Sequence, residues 1–473
     1  MNSLQKRSRS WSKQATWLLP GLSIKRWLGM TFFGLFFLLT GMALLLNLRP
    51  VSSTLEFFQT LAPYLPSTVT GPVLLLLGGV FLYIGFAKAY NTVFSVVTVN
   101  GQESGILEAL YRRHKLDHGP QVVAIGGGTG LSTLLRGVKR YTSNITAIVT
   151  VGDDGGSSGR LREEQGIIPP GDIRNCIAAL ADEEKLITEL FQYRFQNGQG
   201  LEGHSFGNLF LTAMCRITGD MVSAIKESSK VLNIRGRVFP STLDNICLVA
   251  EMEDGTVVRG ESHIPEAKKK IAKLTCDPAN PKPLPDTLDA IRHADLILLG
   301  PGSLYTSVLP NLLIDDIAQA ISKSTAPKVY IANVMTQPGE TDGFSVSDHL
   351  RTILEHTPYP NMVDCVFVNS WLPDELVARY RKAGCEPVTL DMEQCRQLGV
   401  KVVQSLFIDE SETKMVRHNP KRLARSIIHW FRREYGRQMK LKKNAPPILT
   451  STPLAETLPM IEEPVASREG API

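Results

Sequence analysis

Asp153 and Asp154 stand side by side and run into Gly155-Gly156-Ser157-Ser158-Gly159-Arg160. Paired carboxylates in a polar loop suit a ribose hydroxyl, or Mg2+ held jointly with ligand phosphates. Arg160 and Arg162 have the charge to clamp phosphate, and a solvated surface loop is the competing reading. Upstream, Gly126-Gly127-Gly128-Thr129-Gly130 follows an apolar run and opens a helical pattern. Glycines there let the backbone approach an anion, and free N–H groups with the helix dipole favour phosphate. No lysine occupies the Walker position, and G-x-G-x-x-G fails in the registers from Gly126 and Gly128. A ligand-free turn remains the alternative.

Similar chemistry recurs along the chain. Gly300, Gly302 and Ser303 follow "LILL", and Asn333, Thr336, Gln337 and Asp342 follow "VYIAN". Asp172 opens "DIRNCIAAL" and reads best as an N-cap, with Arg174 and Asn175 in the first turn facing the crevice. In "GHSFGNLFL", His204 and Asn208 sit near a helix start. His204 reads either as a general base or as a structural, hydrogen-bonded histidine. No Ser/His/Asp order assembles into a triad. Several glycine-polar loops on one predicted sheet edge are more specific than any one alone.

The elements that must position these residues alternate. Strands are predicted at 122–125, 147–151, 246–251, 296–299, 329–333, 365–369 and 402–407, each Val/Ile-rich and too short for a helix. Helices are predicted at 131–140, 286–293, 314–322, 346–355, 375–384 and 420–433. The alternation implies an α/β fold with a doubly wound, mainly parallel sheet. Residues 172–232 read as consecutive helices, an inserted helical layer, and a hairpin is predicted to turn at Asp254-Gly255.

Ahead of this domain lie two uncharged runs, residues 27–48 and 69–87. The first spans roughly 33 Å as a helix, enough to cross a hydrocarbon core. The pair predicts a transmembrane hairpin. Lys6, Arg7, Arg9, Lys13, Lys25 and Arg26 precede the first run, and Lys88, Arg112, Arg113 and Lys115 follow the second. By the positive-inside rule both ends face the cytoplasm of a bacterial inner membrane, as a multi-pass protein. The net charge of +5 is concentrated at the two ends, which points to a membrane surface. No basic run interleaved with aromatics argues for nucleic acid. The seven cysteines form no C-x-x-C pair, which disfavours structural zinc. The expected domains are a basic N-terminus (1–26), the hairpin (27–92), a juxtamembrane linker (93–118), the α/β domain (119–440) and a disordered tail (441–473).

The stretches "AIGGGTGLSTLLRGVKRYTSNITAIVTVGDDGGSSGRLREEQGIIPPGDIRNCIAALA", "FQYRFQNGQGLEGHSFGNLFLTAM", "LGPGSLYTSVLPNLL" and "NVMTQPGETDGFSVSDHL" resemble the YvcK family, the gluconeogenesis factors. That family is similar to CofD, the 2-phospho-L-lactate transferase. The resemblance covers residues 122–406 and implies a Rossmann-like CofD fold. It implies a role in bacterial cell shape and envelope synthesis during gluconeogenic growth. It further implies a UDP-sugar ligand such as UDP-N-acetylglucosamine, envelope-synthesis proteins as partners and a homo-oligomer. The enzyme branch uses Mg2+ and a nucleotide diphosphate donor, so a transferase is the alternative to a non-catalytic regulator. The candidate ligand contacts are Gly126, Gly127, Gly128, Thr129, Gly130, Asp153, Asp154, Ser157, Ser158, Arg160, Arg174, Asn175, His204, Asn208, Gly300, Gly302, Ser303, Asn333 and Gln337, with Asp153 and Asp154 the candidates for Mg2+.

Overall fold

The computed structural model describes residues 24–45, 67–97, 114–182, 184–408 and 418–444. The chain divides into two compact units, Met1–His429 and Trp430–Ile473.

The two apolar runs form helices α1 (Ile24–Leu45) and α2 (Ser67–Val97), which pack along each other. Gly34 and Gly41 on α1, and Gly71, Gly78 and Gly85 on α2, recur every seven residues. A Cβ on Gly34 would lie 2.6 Å from the Leu82 backbone nitrogen, and one on Gly78 2.7 Å from that of Leu38. Backbone approach this close requires small residues, as in membrane helix pairs. Thr31 and Thr40 donate their hydroxyls to carbonyls one turn back, at 2.9 and 2.8 Å. Large apolar side chains point outward, among them Phe32, Phe33, Leu76, Tyr83 and Phe86. Among the described residues one stretch, Gly71–Lys88, is by itself long and apolar enough to span a membrane; the apolar stretch of α1, Gly29–Ala43, is shorter. The predicted hairpin thus appears as two packed apolar helices, of which one meets the spanning length. Residues 46–66 and 98–113, most of the predicted loop and linker, lie outside the described residues.

Beyond the hairpin, short Val/Ile/Leu runs build a seven-stranded sheet. Its members are β1 (Val122–Gly126), β2 (Ile145–Val149), β3 (Arg237–Pro240), β7 (Leu296–Leu299), β8 (Lys328–Ile331), β9 (Cys365–Asn369) and β10 (Lys401–Ser405). Their order is β10-β9-β8-β7-β1-β2-β3, and every pairing is parallel. All residues of β1, β2, β7 and β8 are buried, as expected of parallel strands covered on both faces. The order reverses between β1 and β7. The carboxyl ends of these two strands therefore open a crevice, where doubly wound sheets take ligands.

Helix α3 (Gly128–Val138) leaves β1. Between β2 and β3 lies the helical layer: α4 (Gly156–Gln165), α5 (Gly171–Leu180), α6 (Glu184–Gln192), α7 (Phe206–Thr218) and α8 (Met221–Val231). The small sheet β5-β4-β6, from β4 (Cys247–Met252), β5 (Val257–Arg259) and β6 (Ile271–Asp277), is antiparallel. Between β5 and β6 runs α9 (His263–Glu266). After β6 come α10 (Pro285–Arg292), then, past β7, a π-turn (Leu304–Val308), α11 (Leu309–Leu312) and α12 (Asp315–Lys323). Helices α13 (Val346–Glu355), α14 (Asp374–Arg381), α15 (Met392–Gln397) and α16 (Pro420–Asn444) follow.

Four elements differ from the sequence reading in ways that bear on the domain. The Gly155–Gly159 run, expected as a loop, is the start of α4, because Leu161, the arginines and Glu163-Glu164 propagate a helix behind it. Strands β3 and β6 were absent from the expected set; β3 is a four-residue edge strand and β6 buries only alternate positions in part. Helix α16 continues to Asn444 and takes in residues 441–444, while the tail expected beyond them lies outside the described residues.

Candidate functional site

The β1–α3 loop carries the first wall of the crevice. Gly127 is the N-cap of α3, in extended backbone, and Gly128 follows with φ +62°, a left-handed conformation that favours glycine. The β7 loop supplies the second wall. A Cβ on Gly130 would collide with the Pro301 carbonyl and lie 3.0 Å from the Gly302 Cα, so the two loops touch through glycine backbone. After Gly302 the chain passes into the π-turn Leu304–Val308, which brings Thr306 and Ser307 to the same crevice.

Together these loops enclose a cleft of about 700 Å³. Of the residues singled out from sequence, Gly127, Gly128, Thr129, Gly130, Asp153, Asp172, Gly302, Ser303, Asn333, Thr336 and Gln337 line it. Gln337 Nε2 donates to Ser303 Oγ at 2.6 Å, and Asn333 Nδ2 to Gln337 Oε1 at 3.3 Å, tying the β7 and β8 loops together. Gly126 and Gly300 sit directly behind, at the strand ends. Thr150, Thr306 and Ser307 add hydroxyls that the sequence reading did not assign.

Acidic side chains dominate the cleft: Asp153, Asp172, Glu261 and Glu340 line it. Asp172 is not the expected N-cap. The N-cap of α5 is Pro170, and Asp172 Oδ2 instead accepts from the Gly128 backbone N–H at 2.6 Å. Burial pushes the Asp172 carboxyl up to about 6, offset partly by that hydrogen bond. Glu261 rises to about 8, through burial first and then the charges of Asp153, Asp154, Asp172 and Glu340. Glu340 rises to about 7 by burial, against hydrogen bonds from Thr306 and the Tyr305 backbone. Its Oε1 accepts from Thr306 at 3.4 Å, whereas Oε2 is buried with no hydrogen-bond partner. No Lys or Arg among the described residues lines the cleft. His418 does, and burial holds it down to about 4, so it is neutral there.

The remaining predicted residues are not among those that line the cleft. Asp154 Oδ1 accepts from the Ser262 backbone N–H at 2.9 Å and holds the β5–α9 turn. Ser157, Ser158, His204, Asn208 and Arg174 form one buried polar cluster joining α4, α5 and α7. Ser157 Oγ and His204 Nδ1 are 2.9 Å apart, and Asn208 Nδ2 donates to Ser157 Oγ at 3.0 Å. Burial, then the charge of Arg160, lowers the His204 pKa. This is nucleophile–base geometry, and neither group is among the residues lining the cleft. Arg174 donates to Ser205 Oγ and to Asn175 Oδ1. Arg160 donates to the Glu202 carbonyl and Arg162 to that of Ile246. All three arginines are committed to protein acceptors rather than to the cleft.

Three or more metal-type side chains converging on one point do not occur among the described residues. Mg2+, however, characteristically takes one or two carboxylates and completes its shell with water and ligand phosphate. Asp153 and Asp172 line the cleft beside the glycine loop and fit that partial donor set; Asp154 is not among the lining residues, and its Oδ1 accepts from Ser262.

The comparisons with known proteins agree with this architecture. The family model described as 2-phospho-L-lactate transferase CofD matches residues 122–408, which places the chain in the CofD class of α/β proteins. A protein from Halalkalibacterium halodurans named gluconeogenesis factor is 53% identical over 307 residues, 65% of this chain and 95% of its own. The gluconeogenesis factor of Bacillus subtilis is 49% identical over 310 residues, 65% of this chain and 97% of its own. A Nostoc sp. relative is 50% identical over 444 residues, 91% of this chain and 96% of its own. A Bacillus halodurans crystal structure superposes with a TM-score of 0.63 at 53% identity, covering 66% of this chain and 99% of that one. The chain belongs to the gluconeogenesis factors, the YvcK family, within the CofD-like proteins.

Proposed function

We propose that the protein is a membrane-tethered gluconeogenesis factor whose Rossmann-like cleft binds a UDP-sugar, UDP-N-acetylglucosamine foremost, and that it serves cell shape and envelope synthesis during gluconeogenic growth. One observation carries the ligand reading: two glycine loops and a row of hydroxyls converge at the switch point of a parallel sheet. Backbone N–H groups there suit a diphosphate. The relatives named gluconeogenesis factor support the gluconeogenic part of this reading.

The acids set a condition on binding. A diphosphate entering beside Asp153, Asp172 and Glu340 meets negative charge, while Glu261, raised to about 8, holds its proton at neutral pH; Mg2+ held by Asp153 or Asp172 would offset that charge. When bound, the ion supplies charge neutralisation. The same donor set favours the alternative, a CofD-type transferase using a nucleotide diphosphate donor. Incubation with UDP-N-acetylglucosamine and Mg2+, followed by phosphorus NMR, separates the two. Retained, intact ligand supports the regulator, and accumulation of UDP or UMP overturns it in favour of the transferase.

The tether reading rests on α1 and α2, whose outward faces are apolar and exposed while their contact face is glycine. It places the protein at the bacterial inner membrane with the α/β domain in the cytoplasm. Flotation with neutral phosphatidylcholine vesicles tests it: full-length chain left in the pellet contradicts it.

A further inference from the structure

Helix α16 has two unlike faces. Leu423, Ala424, Ile427, Ile428, Trp430 and Phe431 are buried. Lys421, Arg422, Arg425, His429, Arg432 and Arg433 are exposed. At 3.6 residues per turn, Lys421, Arg425 and Arg432 fall on one stripe. Across Pro420–Asn444 the sequence has Lys421, Arg422, Arg425, Arg432, Arg433, Arg437, Lys440, Lys442 and Lys443 against one acid, Glu434. The whole chain carries 51 basic and 46 acidic residues, so this helix is far more basic than the chain taken together. A merely solvated face would carry both signs, as helical surfaces usually do.

We propose that the exposed face of α16 docks on anionic phospholipid headgroups. The proposal rests on the tether reading, which brings the α/β domain within reach of a membrane. The segment 98–113 between α2 and the domain has 16 residues and reaches at most about 50 Å when extended, so the domain stays within one molecular diameter of the surface. Charge complementarity selects the partner. Basic side chains near an anionic leaflet strengthen attachment roughly fivefold each at moderate salt. A nucleic-acid surface would set aromatic rings among the cations as stacking platforms. Here Trp430 and Phe431 are buried, and the exposed stripe has only His429 as a ring.

The test uses full-length protein reconstituted in vesicles, with a fluorophore at position 429 and an acceptor on the lipid headgroups. With about 30% phosphatidylglycerol, energy transfer rises at least about twofold over phosphatidylcholine alone and falls back in about 0.5 M salt. K421Q/R425Q/R432Q abolishes the rise, and K421R/R425K/R432K retains it. Equal transfer in both vesicle types, or a rise that survives the glutamine variant, overturns the proposal. So does lipid-independent transfer together with RNA retardation by wild type and not by the glutamine variant. Failure of the tether itself is seen separately, as loss of flotation with neutral vesicles.

Discussion

Asp172 closes the glycine loop: its carboxylate accepts the Gly128 N–H at 2.6 Å. Removing that acceptor should cost stability: Asp172→Ala is expected to lose about 1–3 kcal/mol, the usual penalty for an orphaned buried donor. Asp172→Asn, which keeps an acceptor, is expected to lose less; equal losses in urea unfolding would contradict the assignment. The raised carboxyls have a second consequence. Asp172, Glu261 and Glu340 hold protons in the fold at values of about 6, 8 and 7 that they would release when unfolded. Stability from such groups is present at acid pH and lost as pH rises through those values. The domain should therefore melt progressively lower between about pH 4 and about pH 8, with Glu261→Gln flattening the slope. A melting temperature that rises over that range would show the cluster is not protonated as described. On the acid side His418, held down to about 4 by burial, works oppositely: its stability is lost as pH falls below about 6.5.

Among elements, the β1–α3 and β7 loops carry the site, and their glycines are tested by Gly128→Val. A β-branched residue at φ +62° costs about 1–2 kcal/mol in backbone strain, and its side chain enters the cleft mouth near Ser307. UDP-sugar affinity is expected to drop at least about tenfold, while the circular dichroism of the domain stays unchanged. Unaltered affinity would remove this loop from the cradle. The sheet was legible in the sequence because its strands are short, fully apolar runs: β7, β9 and α13 begin and end where the pattern placed them. So were the glycine loops, whose composition exceeds what a turn needs. The residues that escaped are of two kinds. Strand β3, "RVFP", is too short and too polar at its start to show a period. Glu261 and Glu340 lie over a hundred residues from the glycine motif, and only the packing of the β5–α9 turn and the β8 loop brings them to the cleft. Arg160, Arg174 and His204 had side chains suited to phosphate chemistry, but folding spends them on joining α4, α5 and α7. Motif spacing does not reveal which acceptor a long side chain will meet.

As a whole molecule, the protein joins a glycine-packed apolar hairpin to an α/β domain that relatives of about 310 residues possess without a counterpart to most of the remaining chain. A chain beginning near His114 is therefore expected to stay monodisperse without detergent and to bind ligand as the full chain does, judged by gel filtration and a binding isotherm. Aggregation of that shorter chain would mean the hairpin also covers the domain. Substituting Gly34 and Gly78 by leucine should separate α1 from α2 without affecting ligand affinity, since the glycine contact belongs to the hairpin alone. The central claim is that the acidic, glycine-walled cleft takes a diphosphate together with a divalent cation. Titration calorimetry of UDP-N-acetylglucosamine, UDP and UMP, each with and without Mg2+, tests it most directly. The two diphosphates are expected to bind, tightened by Mg2+ by at least about tenfold, with UMP much weaker in both conditions. Equal affinity for all three nucleotides, or binding indifferent to Mg2+, would contradict it.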